Sequence, residues 1–251
     1  MSKILETKNV YKEFGQENKT VVLKGINMEV EEGEYVVIMG QSGSGKSTLL
    51  YNISGMDKTT SGEVIFDGEK ISEFDDEKMS QLRLQKMGFI FQHSYLLKKM
   101  SLRDNVMLPA FKAKKYSKKE ILEKGNSLME SLHIEGVADH AINQVSGGQV
   151  QRTAICRALI NEPKILYGDE PTGALNASTT REVMDILNTI NKKGTTIVLV
   201  THDAKVAARA DRIIYLQDGE IVSSLTLGKY EKQQEKNREE KTNQWLREQG
   251  F

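Results

Sequence analysis

The stretch that most constrains the fold of this chain is the sequence GQSGSGKST at residues 40–48. It matches the pattern G-x-x-x-x-G-K-[S/T], in which a glycine-rich backbone and a lysine surround phosphate groups. The apolar run at residues 35–39 predicts a buried strand before the loop, and residues 47–53 predict a helix after it. Because strand, loop and helix follow in the required order, we predict an α/β fold built around a nucleoside triphosphate site.

Each residue type in this loop has a chemical reason. Glycines allow the backbone N–H groups to point inward where a Cβ would block a phosphate, and the next helix offers free N–H groups and the positive end of its dipole. We expect Lys46 to reach the β- and γ-phosphates and the Ser47 hydroxyl to ligate magnesium. A flexible loop that ends by chance in Lys-Ser is disfavoured by the complete motif. The nucleotide-binding residues expected here are Gly40, Gln41, Ser42, Gly43, Ser44, Gly45, Lys46, Ser47 and Thr48.

Composition limits the alternatives. The 251 residues suffice for one α/β domain with a smaller subdomain, and the formal net charge of +0 gives no indication of a nucleic-acid partner, so we expect none. The single Cys156 lies in an apolar helical pattern typical of core, and one cysteine allows no disulfide framework. Residues 1–6 lack the features of a signal peptide, and no apolar run approaches the roughly 20 residues that span a bilayer. We therefore expect a protein that is soluble by itself, in a reducing compartment.

The chain before the loop has the alternation of half-buried strands. Residues 4–14 and 21–30 alternate apolar and polar side chains and predict a small antiparallel sheet. Phe14 stands at the turn between them, where an aromatic ring beside a nucleotide stacks on the base; such stacking contributes about 1–3 kcal/mol in nucleic-acid complexes. An aromatic residue that covers core at a strand end is an equally good interpretation from local sequence.

The chain after the loop alternates strands and helices. Residues 62–68 predict a short strand, residues 75–85 a polar helix, and residues 87–91 a buried strand that ends at Gln92. Gln92 is of interest because ligands of α/β proteins bind at the carboxyl ends of strands. Residues 93–145 then change to helical periodicity, which indicates a helical insert.

The insert carries helix-start signals and many lysines. Ser101 precedes one helical segment, and Ser117 with Glu120 forms the capping-box pattern of another. Because Glu120 and Glu123 are interspersed among the lysines, a solvated helix face is favoured over a patch for anionic membranes or nucleic acid.

A second glycine-containing segment ends the insert. This segment stands just before a predicted helix and consists of Ser146, Gly147, Gly148 and Gln149. Its free amides would form a second anion cradle. By itself this segment is a modest signal that could be only a glycine turn and an N-cap, but its position in the chain favours the anion cradle.

Two later strands end in polar residues. Residues 163–168 predict a strand that leads into Asp169 and Glu170, where one carboxylate would hold magnesium and the other would polarise the attacking water. A helix at residues 177–191 and a strand at 195–200 follow, with His202 in the next loop. His202 stands at the same strand-end level, where it would bond a γ-phosphate. Without the phosphate loop, a polar loop at Asp169 and a structural histidine are the favoured interpretations.

The ordered set of these motifs resembles the ATPase subunits of ABC transporters over nearly all of residues 4–222. Six motifs of that family have a match here, in chain order. They are the Walker A motif at residues 40–48, the Q-loop at Gln92, the signature at residues 145–149, the Walker B motif at Asp169 with Glu170, the D-loop at residues 173–176 and the switch histidine at His202. Within that family the chain is similar to the MacB/LolD type, which includes Gram-positive exporters and antimicrobial-peptide resistance systems.

The resemblance implies a P-loop NTPase of α/β class, with an ABC ATPase core, an N-terminal antiparallel β-subdomain and an inserted helical subdomain. It places the ATPase domain at residues 1–228, with the helical subdomain at about 93–150, and a charged C-terminal helix or tail at 229–251. It implies ATP and Mg²⁺ as ligands, and a second copy of the chain and an integral membrane permease subunit as partners. The protein would be cytoplasmic and peripheral on the inner face of the membrane.

The resemblance also assigns roles to residues. It implies catalysis by Glu170, His202 and Lys46, magnesium binding by Ser47, Gln92 and Asp169, base stacking by Phe14 with Tyr11 as the fallback, and action in trans by Ser146, Gly147, Gly148 and Gln149.

Three residues depart from the family pattern. Val145 replaces a common leucine, Gly168 interrupts the apolar run before Asp169, as if to let backbone pack closely, and Asn176 replaces the usual aspartate of the D-loop. Asparagine keeps an acceptor oxygen but lacks the charge of aspartate, so communication between the two sites of a dimer is the family property that does not carry over directly.

Two kinds of function remain open. In one, the chain is the ATPase of an exporter or peptide-resistance system. In the other, it resembles the FtsE-type cell-division ATPase and acts as a mechanical or signalling switch on a membrane protein. The charged residues 229–249, with Trp245, Leu246 and Phe251 as apolar anchors, predict a solvated helix or a disordered tail, which would dock on the partner or pack on its own domain.

Overall fold

The computed structural model describes residues 2–251. Its strands are, in chain order, β1 (Lys3–Phe14), β2 (Thr20–Glu31), β3 (Tyr35–Met39), β4 (Ser61–Phe66), β5 (Glu69–Lys70), β6 (Met87–Phe91), β7 (Ile165–Asp169), β8 (Thr196–Val200), β9 (Arg212–Gln217) and β10 (Glu220–Thr226). Its α-helices are α1 (Lys46–Ile53), α2 (Asp76–Lys86), α3 (Leu102–Ala113), α4 (Lys118–Ser131), α5 (Gly147–Leu159), α6 (Ala177–Lys192), α7 (Ala204–Ala207) and α8 (Glu235–Glu248). These elements confirm the predicted α/β class.

The strands form two sheets. The N-terminal antiparallel sheet has the order β2-β1-β4-β5, so the two strands predicted before the loop do pair and are joined by β4. The larger sheet has the order β10-β9-β3-β8-β7-β6. Its strands run parallel except for β10 at one edge, as expected when helices connect successive strands.

The central strand β3 shows how the core is divided. Its side chains alternate between two apolar clusters, with Tyr35, Val37 and Met39 on one face and Val36 and Ile38 on the other. All five are fully buried, because helices cover one face and helices together with the antiparallel sheet cover the other. The continuous apolar run in the sequence reflects this burial on both faces.

Cys156 on α5 lies within the cluster that contains Tyr35 and is fully buried, which confirms the prediction of a core residue. Burial raises the pKa of its thiol to about 12.

The helical insert begins with the predicted caps. The Ser101 hydroxyl accepts a bond from the backbone N–H of Asp104 at 3.0 Å. Ser117 and Glu120 form a complete capping box, in which each side chain accepts a bond from the other residue's backbone N–H. Short polar side chains therefore define where α3 and α4 start.

Parallel pairing brings three strand ends to one edge of the sheet. Val200 is in register with both Ile38 of β3 and Asp169 of β7. The residues that follow these strands, including Gly40 and His202, therefore lie at the same edge, where α/β proteins bind ligands.

The interruption of β7 at Gly168 has a different cause from the one expected. A Cβ at this position would lie 2.2 Å from Cδ2 of Leu199 on the neighbouring strand. Glycine therefore makes room for a side chain, whereas close approach of backbone was predicted.

The charged C-terminal segment is a helix packed on its own chain. Leu246 and Thr242 of α8 are buried, and so is Arg238, a residue type that sequence patterns place in solvent. The Arg238 guanidinium donates to backbone carbonyls of residues 208 and 210 and of residues 227–229. Trp245 packs against the core, while Phe251 remains 42% exposed.

Across residues 2–251, no helix combines the length and the apolar character needed to cross a bilayer.

Candidate functional site

The loop at residues 40–48 depends on backbone conformations that favour glycine. Gly40, Gly43 and Gly45 have φ angles of 154°, 80° and 99°, in the region that favours glycine. A Cβ at Gly40 would lie 2.0 Å from the carbonyl oxygen of Leu216, whereas one at Gly43 would have no atom within 4 Å. The loop is therefore held tightly against β9 at its start and is open at its middle.

The helix that follows the loop begins without a side-chain cap. Gly45 is the N-cap of α1 and provides no acceptor to the first-turn N–H groups. Helices α2 to α7, in contrast, all begin with a side chain that accepts a bond from the first turn; these caps are Asp75, Ser101, Ser117, Ser146, Asn176 and Asp203. The amides at the start of α1 are thus available to an anion.

Lys46 folds back over the loop. Its Nζ donates to the carbonyl oxygens of Gly40 and Gln41 at 2.9 and 2.7 Å. Partial burial lowers the pKa of its ammonium, while the carboxylates of Glu170 and Asp169 act in the opposite direction. Nearby, the Ser44 hydroxyl is buried without a hydrogen-bond partner. A cradle of free amides with one ammonium and an unpaired hydroxyl fits a phosphate chain.

Asp169, the last residue of β7, is bonded through both of its oxygens to α1. The Ser47 hydroxyl donates to Oδ1 at 2.9 Å, and the Tyr51 hydroxyl donates to Oδ2 at 2.6 Å. Burial, followed by the hydrogen bond to Asp169, raises the pKa of the Tyr51 phenol. The structure therefore brings the predicted pair Ser47 and Asp169 together and adds Tyr51, which sequence reasoning missed.

This oxygen-rich pair suits magnesium. Hydroxyl and carboxylate oxygens are ligands that Mg²⁺ prefers, and Mg²⁺ is commonly held by one or two carboxylates together with phosphate oxygens. Within the described residues, no group of three or more His, Cys, Asp or Glu side chains is placed to hold a metal by itself. A cation at Ser47 and Asp169 would therefore take further ligands from outside such a cluster, including phosphate oxygens and water.

Glu170 and His202 contact each other at the strand ends. His202 Nδ1 lies 2.8 Å from Oε1 of Glu170. The Glu170 backbone has a left-handed φ of 48°, and its N–H donates to the carbonyl of Val200 at 3.0 Å. The His202 side chain is 70% exposed, and both residues border a cavity of about 320 Å³. This pair has the access to solvent that water activation needs.

Gln92 lies next to this site but is joined to it through backbone. Its N–H donates to the carbonyl of Asp169 at 2.9 Å. In the described part of the chain, its side chain makes no hydrogen bond to Ser47 or Asp169; a Cβ at Gly173 would lie 3.0 Å from its Nε2. Gln151, a buried residue that sequence reasoning missed, bonds to the carbonyls of Phe91 and Pro171 and connects the two loops.

The aromatic residue expected to stack on the base is available for that role. Phe14 is 46% exposed at the end of β1, while Tyr11 is half-buried. The Lys12 ammonium lies 4.8 Å from the centroid of the Phe14 ring and is held by Asp57 at 2.8 Å. The Lys12 ammonium thus lies over one face of the Phe14 ring. Because Phe14 is more exposed than Tyr11, Phe14 is the favoured residue for base stacking.

The second glycine segment forms a cap in this structure. Ser146 and Gln149 form a complete capping box at the start of α5. Ser146 and Gly147 are exposed, whereas a Cβ at Gly148 would lie 2.7 Å from the Thr179 side chain. Among the described hydrogen bonds, none joins this segment to the loop at residues 40–48, so the chain does not bring its two anion cradles together.

The family match and the sequence relatives of this chain agree with the motifs described above. The profile of the ABC transporter family matches residues 23–173. The macrolide export ATP-binding/permease protein MacB of Mannheimia succiniciproducens is 44% identical over 220 residues, covering 87% of this chain and 34% of MacB. The lipoprotein-releasing system ATP-binding protein LolD of Aquifex aeolicus is 41% identical over 227 residues, covering 90% of this chain and 99% of LolD. The chain therefore spans about a third of MacB but nearly all of LolD.

A solved structure agrees with these sequence matches. The ATP-binding cassette MJ0796, in a dimeric post-hydrolysis state bound to ADP and Pi, superposes with a TM-score of 0.83 at 40% identity. The match covers 90% of this chain and 100% of that cassette. The fold predicted from the sequence, an ABC ATPase core with an antiparallel subdomain and helical additions, is confirmed.

Proposed function

This chain belongs to the ABC transporter family, and on that premise we propose that it is the ATP-hydrolysing subunit of a membrane-embedded exporter or antimicrobial-peptide resistance transporter of the MacB/LolD type. The observation that carries the proposal is the convergence, at one sheet edge, of the open phosphate loop, the Ser47–Asp169 pair and the Glu170–His202 pair. This convergence supports a site in which charge stabilisation for phosphates and activation of water act side by side.

In this proposal the loop binds the nucleotide through its amides. The first-turn N–H groups of α1 donate to the phosphate oxygens, and Lys46 exchanges its bonds to the Gly40 and Gln41 carbonyls for bonds to phosphate. Ser47 and Asp169 hold Mg²⁺, which when bound neutralises negative charge on the phosphates. Gln92 follows β6, and its side chain would have to turn to reach the same cation. Phe14 stacks on the base.

Glu170 acts as the general base. With Oε1 held by His202 Nδ1, the second carboxylate oxygen of Glu170 is free to accept a proton from water. In its imidazolium form His202 donates Nδ1–H to Glu170 and can donate Nε2–H to the γ-phosphoryl oxygens. His202 thus orients both the base and the group that is attacked.

A second copy of the chain completes each site. Ser146 uses its oxygen to cap α5, so its own O–H proton remains available to a phosphate on a partner. Because Ser146 and the amides of Gly147 and Gly148 lie away from the chain's own loop, a two-fold dimer is the arrangement that lets them act. The dimeric state of MJ0796 supports this part of the proposal.

The membrane partner would dock beside the Gln92 loop and the helical insert. A groove of about 430 Å³ lies there between α2, β6, α3 and α5, lined by apolar residues such as Phe89, Phe91 and Pro109. Tyr95 at its rim is 68% exposed, and its ring packs edge-on against Phe91 with the ring centroids 5.4 Å apart. We assign the groove to a segment of an integral permease subunit, which would hold the cassette at the inner face of the membrane. The alternative of an FtsE-like switch without transport has no observation of its own in its favour.

Co-purification tests the assignment of the partner. Tagged Glu170→Gln protein, incubated with ATP and Mg²⁺ and recovered from solubilised membranes, should retain an integral membrane protein in stoichiometric amount. Tyr95→Glu in the groove should abolish that retention, while Leu122→Glu, an exposed position on α4 outside the groove, should not. Retention of soluble proteins only would contradict the transport proposal.

A further inference from the structure

We propose that Tyr51 is a positioning residue for the magnesium site, which holds the Asp169 carboxylate in the orientation in which it meets the cation. The inference rests on the proposed function, because it takes Ser47 and Asp169 as the magnesium-binding pair.

The spacing of Tyr51 on α1 makes the contact possible. Ser47 and Tyr51 are four residues apart and so lie on the same face of the helix, one turn from each other. This face is directed at the end of β7, where the Tyr51 hydroxyl meets Asp169 Oδ2 at 2.6 Å and the Ser47 hydroxyl meets Oδ1 at 2.9 Å. One turn of helix thus binds both oxygens of one carboxylate.

The chemistry of the two hydroxyls assigns them different tasks. Ser47 donates its proton to Oδ1 and keeps its oxygen lone pairs for a cation. Tyr51 donates to Oδ2, which fixes the plane of the carboxylate and directs Oδ1 toward Ser47 and the loop. Partners of this kind, which touch a ligand but not the metal, set the orientation of the ligand and are worth about 10–100-fold in metal affinity.

The tyrosine itself is held in place. Its half-buried ring packs against the core cluster on the α1 side of the sheet. Its carbonyl oxygen accepts bonds from the N–H groups of Met56 and Asp57 at 2.9 and 3.0 Å, which fixes the backbone where α1 ends. A hydroxyl on a fixed ring is a better constraint on a carboxylate than one on a mobile side chain would be.

The test measures ATP binding without turnover. In a Glu170→Gln background, the dissociation constant for labelled ATP is determined by equilibrium dialysis over a magnesium titration and again in EDTA. We expect Tyr51→Phe to leave the affinity in EDTA unchanged, because the phosphate loop is intact. We expect this substitution to raise the magnesium midpoint by about tenfold; the midpoint is the magnesium concentration that gives half of the magnesium-dependent gain in ATP affinity.

Tyr167→Phe is the matched control. Its hydroxyl donates to the carbonyl of Ile53 at 3.2 Å, and its ring stacks on Phe89 in the same cluster, but it does not touch Asp169. It should leave the magnesium requirement unchanged. An unaltered magnesium midpoint in Tyr51→Phe, or an equal loss of affinity with and without magnesium, would overturn the inference. Absence of magnesium-dependent ATP binding in the parent protein would instead contradict the proposed function and the inference with it.

Discussion

His202 Nδ1 lies 2.8 Å from Oε1 of Glu170, although the two residues follow different strands of the sheet. The contact exists because β7 and β8 are adjacent and parallel, so that the loops after them meet at one edge. In the proposed mechanism His202 therefore has two tasks, since it bonds the γ-phosphate and leaves only the second carboxylate oxygen of Glu170 to accept a proton from water.

Replacement of His202 tests this role. We expect His202→Ala to lower kcat for ATP hydrolysis by about a hundredfold or more, the usual contribution of a positioned acid or base, with little change in KM. Phosphate release at varied ATP concentrations measures both constants. His140→Ala, which removes an exposed histidine from the helical insert, should have wild-type kinetics. Equal kinetics in the two variants would show that the Glu170 contact has no catalytic consequence.

Arg238 is expected to be essential for stability. Arg238→Ala would leave the buried carbonyl groups of Ala208 and Ala210, and the partly buried ones of residues 227–229, without their donor. We expect a loss of about 3 kcal/mol or more in the free energy of unfolding, from unpaired buried acceptors. That corresponds to a fall of about 6–12 °C in Tm, measured by calorimetry. Arg247→Ala on the exposed side of the same helix should change Tm little, and a similar fall in both variants would contradict the assignment.

Asn176 has a structural task that aspartate shares. Its Oδ1 accepts a bond from the N–H of Thr179 at 3.0 Å and caps α6. Asn176→Ala should therefore cost about 1 kcal/mol of stability, whereas Asn176→Asp should keep the cap. Because the added charge lies in the D-loop, we expect Asn176→Asp to alter the hydrolysis rate while ATP affinity stays nearly the same. Unchanged kinetics would remove any special role for Asn176 in communication between sites.

Base stacking on Phe14 predicts weak selection between nucleotides. A ring face accepts any base, so ATP and GTP should have similar KM values, and Phe14→Ala should raise both by about tenfold. Tyr11→Ala should have a smaller effect on KM, since Tyr11 is half-buried whereas the Phe14 ring is exposed. A large preference of the parent protein for ATP would show that other contacts select the base.

The sequence predicted most of the fold because local and long-range signals agreed. Strand β6 was predicted at its observed bounds, and the caps Ser101 and Ser117 were predicted from short polar residues that act locally. The order of the glycine loop, Asp169 and His202 along the chain was sufficient to place them together, since parallel strands bring their carboxyl ends to one edge.

What the sequence did not predict depends on partners distant in the chain. Tyr51 carries an i, i+4 relation to Ser47, but its acceptor, Asp169, is more than 100 residues away. Arg238 lies among charged residues typical of a solvated face, and its burial depends on carbonyl groups of the turn after α7 and of the segment after β10. Gln151 was missed for the same reason, since a buried glutamine has no local signature.

The central claim, that ATP is bound between two copies of this chain, is tested most directly by the oligomeric state of Glu170→Gln. Sedimentation velocity should show a monomer without nucleotide and a dimer in saturating ATP and Mg²⁺. Adding Ser146→Asp, which preserves the α5 cap but places a negative charge against the partner's phosphates, should return the protein to a monomer. A Glu170→Gln protein that stays monomeric in saturating ATP and Mg²⁺, or a Ser146→Asp double variant that still dimerises, would contradict the account.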